Sequence, residues 1–255
     1  MAAEPVASLA CIVIRTIPCL HFGTVTPLSE AWREALRLLW RAEPDVVQAA
    51  WMSLYVSLVA TALAGLGGIP CGLALARYRF PGRTLVEVLV KTLTAMPTVV
   101  VGLLFYALLS RSGPLGVLGL LYTPTAMILG EAALVFPLVA ALTLSLVAEA
   151  DPRIEATART LGASPAQALL TLLFELRYGI VGIAVTTFGR LLSELGVALM
   201  LGGNIRGSTR TLTTAIALET SKGDFALAFA LGILLLGLAL AVNLLAWWWS
   251  PRWLP

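Results

Sequence analysis

Five long, mainly apolar stretches, 48–76, 84–109, 124–147, 178–201 and 225–249, occupy most of a chain of 255 residues. The hydrocarbon core of a bilayer is about 30 Å thick, and a helix needs roughly 20 predominantly apolar residues to cross it. Each stretch meets that length. Lipid offers no partner for backbone N–H and C=O groups, so a spanning segment of this kind satisfies them internally as a helix. The chain is therefore expected to be all-α, a polytopic membrane helix bundle with five transmembrane helices. Composition supports this: 59% of residues are hydrophobic and 12% charged, where soluble domains carry roughly 25% charge.

The segment 28–47 precedes the first stretch and is amphipathic. Trp32, Ala35, Leu36, Leu39 and Trp40 share one helical face, with Arg33, Glu34, Arg37 and Arg41 on much of the other. That pattern predicts an interfacial helix. Residues 1–27 lack a basic start, and Arg15 and Pro18 fall within their apolar part, which argues against a cleaved signal peptide. They are read as an N-terminal extension, 48–249 as the membrane domain and 250–255 as a tail. Cys11, Cys19 and Cys71 are odd in number and His21 is the sole histidine, so neither a disulfide framework nor a metal site is expected.

The net charge of +3 comes from basic residues that mostly flank the spans, as topology requires, and gives no reason to expect a nucleic-acid partner. Residues 76–83, ARYRFPGR, hold three arginines and no acid, which argues for a cytoplasmic first connection. Arg33, Arg37, Arg41, Arg206, Arg210 and Lys222 pull the other way. With the first connection inside, the loop 148–177 and the C-terminus are cytoplasmic and 201–224 faces outward. Gly68 and Gly72 form a small-xxx-small pair suited to close helix packing, while Pro97 and Pro137 are expected to interrupt the second and third spans.

Residues 151–167, DPRIEATARTLGASPAQ, interrupt the apolar pattern with a polar elbow. Asp151-Pro152 opens a helix, Ala156, Ala158 and Leu161 favour it, Gly162 can close it, and Ser164-Pro165 starts another. This helix–glycine–helix, 158–164 above all, resembles the cytoplasmic EAA loop of ABC-importer membrane subunits. The family places its glutamate where this chain has Ala156, with Glu155 one position earlier, and the family's closing proline is replaced by Glu175. The resemblance implies the type I ABC importer fold and a short helix seated in a separate ATPase. Its coupling residues would be Glu155, Ala158, Arg159, Leu161, Gly162, Ala163 and Ser164.

A second segment narrows the branch. Residues 193–225, SELGVALMLGGNIRGSTRTLTTAIALETSKGDF, are similar to the C-terminal half of tungstate-type permeases; their Ser193-Glu194-x-Gly196 is shared with molybdate and sulfate relatives. An oxyanion path needs donors that hold the ion without trapping it. Thr187, Arg190, Ser193 and Glu194 are the pore or gate candidates. Asn204, Arg206 and Arg210 are candidates for the outer mouth, with backbone N–H groups of 202–204 forming a possible nest. Glu87/Lys91 and Arg190/Glu194 are each four residues apart and can self-neutralise; the second pair would line either the path or a subunit seam. Glu131 has no local partner and is expected to hydrogen-bond between helices.

No G-x-x-x-x-G-K-[ST], H-E-x-x-H or G-x-S-x-G occurs, so this chain is not expected to be an enzyme or to bind a cofactor. ATP and Mg would sit on the partner. The resemblance implies a homodimer, two ABC ATPase subunits and an extracytoplasmic oxyanion-binding protein, in the inner membrane of a prokaryote. A secondary carrier or a membrane scaffold is the alternative class. No internal repeat or matched pair of broken helices is evident, which weighs against the carrier.

Overall fold

The computed structural model describes residues 44–249. The N-terminal extension, the interfacial helix over 28–40 and the tail 250–255 lie outside the described residues. Within them the fold is helical throughout: α1 (Pro44–Arg77), α2 (Arg83–Leu93), α3 (Thr98–Leu109), α4 (Pro124–Glu149), α5 (Arg153–Thr160), α6 (Pro165–Glu175), α7 (Arg177–Leu192), α8 (Gly196–Gly202), α9 (Leu212–Lys222) and α10 (Phe225–Trp249), with one 3-10 turn at Gly116–Leu118.

Three helices are individually long and apolar enough to cross a membrane: Pro44–Arg77, Pro124–Glu149 and Phe225–Ala246. Two further spans arise only if bent pairs are each taken as one, α2 with α3 at 97° and α6 with α7 at 61°. The stretches 84–109 and 178–201 are thus not continuous helices, and the first breaks next to Pro97, which was expected to interrupt it. The first breaks where Thr94 closes α2, its N–H donating to Lys91 O and the next N–H, of Ala95, to Thr92 O, and Pro97 precedes α3 with no N–H to continue the ladder. The second ends at Ser193, after which α8 starts afresh at Gly196. Pro137, by contrast, does not interrupt its helix, because α4 runs unbroken through it; in lipid, neighbouring helices and local adjustment accommodate the freed carbonyl.

The bundle is organised on the pair α1 and α4, which pack along each other more extensively than any other two helices. Burial cannot drive this pairing within lipid, since lipid tails are as apolar as leucine; close van der Waals fit does. Gly72 shows how close the fit is. A Cβ there would sit 2.5 Å from Ala140 O and 2.7 Å from Thr143 Cβ, both on α4. The core continues through Val56 and Ala60 of α1, Met127, Val135 and Val139 of α4, and Val197 and Leu201 of α8, all buried. A second, smaller cluster joins Ala49 of α1 to Leu212 and Ala215 of α9 and Leu231 of α10. Leucines 236, 240, 244 and 245 of α10 stay exposed, as suits a face turned to lipid.

Candidate functional site

The elbow is held by local bonds that its sequence dictates. Asp151 Oδ1 accepts from Arg153 N at 2.8 Å and so caps the start of α5. At the other end Gly162 takes a φ of +92°. Its N–H donates to Arg159 O at 3.0 Å, and Ala163 N–H donates to Ala158 O at 3.0 Å, the paired bonds of a Schellman closure. Nothing lies within 4 Å of a Cβ built at Gly162, so glycine is needed there for its backbone, not for room. Ser164 then forms a capping box with Gln167: Ser164 N–H donates to Gln167 Oε1 at 2.8 Å and Gln167 N–H to Ser164 Oγ at 3.3 Å.

One contact the sequence does not reveal ties this elbow to the bundle. Glu155 forms an ion pair with Arg77, the last residue of α1, across 78 positions of chain. Ala158, one turn further on, is half-buried, whereas Arg159 is exposed and Leu161 has 83% of its surface open. The two faces of α5 therefore differ. Glu155 and Ala158 look toward the bundle, and Arg159 and Leu161 are presented outward. Beside the ion pair lies a cleft of ≈ 670 Å³, lined by Arg77, Arg79 and Arg83 on one side and Asp151, Pro152 and Glu155 on the other.

The pore candidates do not form one constellation. Thr187 is fully buried and its Oγ1 has no hydrogen-bond partner. Ser193 Oγ donates to Arg190 O at 3.0 Å, within its own helix. Glu194 is buried, and its Oε1 accepts from Gly196 N at 2.8 Å and Val197 N at 3.4 Å. The expected pair with Arg190 does not form: among the described residues Arg190 has no carboxylate within ion-pair distance. The other expected pair is likewise re-partnered, because Glu87 accepts from Arg83 Nε at 2.7 Å and not from Lys91.

At the other end of the bundle, the outer-mouth candidates are cross-linked. Arg206 binds the carboxylate of Asp45 at the start of α1, with Nε 3.0 Å from Oδ1. Arg210 Nε donates to Asn204 Oδ1 at 3.1 Å, and Asn204 itself takes a φ of +52°. Of the backbone nest expected over 202–204, Gly203 N–H is already engaged, donating to Leu199 O, and just beyond it Ile205 N–H donates to Thr209 Oγ1 at 3.1 Å. Gln48 Nε2 donates to Gly207 O at 2.7 Å, a second tie from this loop to α1. Nearby, Thr211 and Thr214 cap α9, and Leu212 N–H donates to Ser53 Oγ at 2.8 Å.

Comparison with known proteins agrees with this arrangement. The model of the family described as binding-protein-dependent transport system inner membrane component matches residues 68–254. A tungstate uptake system permease protein from Peptoclostridium acidaminophilum is 42% identical over 216 residues, covering 85% of this chain and 95% of that one. Its counterpart from Campylobacter jejuni is 38% identical, over 84% of this chain and 90% of that one. Among solved structures, a bacterial ABC transporter involved in import of the acidic polysaccharide alginate superposes with a TM-score of 0.70 at 20% identity, over 98% of this chain and 95% of that chain. That identity speaks to the fold alone, and the fold is that of an ABC-importer permease. From the family match over 68–254 and the two relatives, the chain belongs to the binding-protein-dependent transport system inner membrane components, multi-pass proteins of the inner membrane.

Proposed function

We propose that this chain is the permease subunit of an ATP-binding cassette importer that brings tungstate into the cell. The observation that carries the reading is the elbow: a rigidly capped α5 whose inner face is tied to α1 by Arg77 and Glu155 and whose outer face presents Arg159 and Leu161. An exposed leucine on a short, well-fixed polar helix is suited to insertion into a groove on a partner. The partner would be an ATPase carrying ATP and Mg, two copies serving a permease homodimer, with a binding protein delivering the oxyanion from outside. Closure of the ATPases on ATP would move the two elbows, and the Arg77–Glu155 link would pass that motion to α1 and thence to α4. Alternating access follows as a rigid-body switch of packed helices. The C-terminus then lies on the cytoplasmic side.

Substrate class rests on the relatives named for tungstate uptake and on the residues 193–225. Uptake of tungstate, molybdate and sulfate by cells expressing the transporter, read by elemental analysis, tests it. Tungstate uptake that withstands an excess of sulfate is the expected result. Equal uptake of sulfate would overturn the assignment and leave a general oxyanion permease.

A further inference from the structure

The chain leaves α1 and enters α2 through 77–83, RYRFPGR, which holds three arginines and no acid. The fold gathers all three onto the cleft beside the elbow. Arg77, Arg79 and Arg83 line one side of its ≈ 670 Å³ and Asp151 and Glu155 the other. Beneath them the lining is apolar, with Leu73 of α1, Val147 of α4 and Leu172 of α6. That volume falls within the range of about 300–1,000 Å³ in which proteins hold small ligands and headgroups.

The charges around the cleft are unequally engaged. Glu155 is taken by Arg77, and Asp151 Oδ1 accepts from Arg153 N–H at 2.8 Å at the start of α5. Arg83 meets Glu87 through Nε at 2.7 Å, which leaves the two Nη groups of its fork for a second acceptor. Arg79 has no carboxylate within ion-pair distance among the described residues. An anion entering the cleft therefore meets one uncommitted guanidinium and the open edge of another. The neighbours of Arg79 say where such an anion comes from. Tyr78 and Phe80 flank it and both are exposed, as is Leu85 in the first turn of α2. Exposed aromatic rings at the end of a spanning helix sit at the level of lipid headgroups, and a basic pocket between helices at that level is suited to a lipid phosphate. Arg159 and Leu161 lie on the other face of α5, so the cleft and the proposed ATPase seat are separate surfaces.

We propose that this cleft binds the headgroup of an anionic phospholipid, with Arg79 and Arg83 holding the phosphate oxygens by charge-assisted hydrogen bonds. The bound lipid would brace the connection between α1 and α2 against the elbow, beside the Arg77–Glu155 pair. Its place in the cytoplasmic leaflet rests on the proposed function; the site itself does not.

Native mass spectrometry of the full-length permease released from nanodiscs tests this, with phosphatidylglycerol and phosphatidylcholine of identical acyl chains as the probes. Phosphatidylglycerol is expected to stay bound in preference to phosphatidylcholine. Its retention should fall about fivefold in Arg79→Gln, the worth of one arginine beside an anionic lipid surface, and further when Arg83→Gln is added. Arg111→Gln removes an exposed arginine from the connection between α3 and α4 and should leave retention unchanged. Because Arg83 also holds Glu87, the single Arg79→Gln variant carries the test. Its melting temperature in phosphatidylcholine should match that of wild type, while the rise on adding phosphatidylglycerol should be smaller than in wild type. Equal retention of the two lipids, or retention of phosphatidylglycerol unmoved by Arg79→Gln, would overturn the assignment. Displacement of phosphatidylglycerol by millimolar inorganic phosphate would overturn it too, giving the cleft to a soluble anion. Neither ATP nor tungstate enters the measurement, so a failure of the importer reading is told apart from a failure of the lipid site.

Discussion

Gly162 and Leu161 are neighbours with separable tasks. Gly162 supplies a backbone conformation at φ +92°, which costs a side-chain-bearing residue about 1–2 kcal/mol. Gly162→Ala is expected to loosen the elbow by that order and lower transport while leaving the bundle's melting temperature nearly unchanged. Leu161, 83% exposed, contributes almost nothing to the isolated fold. Leu161→Asp should fold normally and yet fail to co-purify with the ATPase; retention of the ATPase would remove this residue from the interface. Glu155 stands one position away from the family's usual glutamate, and its partner is Arg77. Both side chains are partly buried, so removing either is expected to cost on the order of 1 kcal/mol. Uptake lost in Arg77→Glu and regained with Glu155→Arg added would identify the pair as the link, whereas loss without rescue would count against it.

Whole elements carry the next level of constraint. Close approach of α1 to α4 depends on Gly72, where an added Cβ would fall 2.5 Å from a backbone oxygen that cannot swing aside. Gly72→Leu is therefore expected to destabilise the bundle by a few kcal/mol, in the range of overpacked cores, read as a lower melting temperature and poor accumulation in the membrane. Gly65 offers a control, since its Cβ would meet only Ile69 Cδ1 at 3.9 Å; Gly65→Ala should be nearly silent. The elements also show which parts of the architecture were legible in the chain. The elbow could be read because its determinants, Asp151, Gly162 and the Ser164/Gln167 box, act within a few residues of one another. The break at 94–97 was legible through Pro97, whereas the one at 193–195 was not, because an apolar run has the same composition whether its helix is continuous or interrupted. Glu87 and Glu194 were assigned partners four residues away on a helix; Arg83 lies at the same spacing from Glu87 as Lys91, so spacing alone does not choose between them, and it does not show that Glu194 serves the backbone of α8. Arg77 with Glu155 is a meeting made by the tertiary fold, invisible to any local pattern; so is that of Glu131 with Glu194 at one small void, where Glu131 Oε2 lacks a partner in place of the hydrogen bond between helices that was expected.

At the scale of the molecule, one end of the bundle holds the elbow and the other the loop 203–211, and α1 touches both. Its first turn takes Arg206 on Asp45, and its last residue takes Glu155 on Arg77. A single long helix thus connects the proposed ATPase socket with the proposed outer mouth. The arginines there are engaged with Asp45 and Asn204, which makes them struts of the loop as well as a source of positive potential. Replacing Arg206 and Arg210 with Gln is expected to slow delivery most at low ionic strength, where screening is weakest; an unchanged salt dependence would leave only the strut. The central claim is that ATP hydrolysis on another chain drives an oxyanion through this one by way of the elbow. It is tested most directly by tungstate accumulation in proteoliposomes holding the permease, its ATPase and its binding protein. Accumulation that requires ATP and is abolished by Leu161→Asp is the predicted result. Accumulation that proceeds without the ATPase, or is untouched by Leu161→Asp, would contradict it.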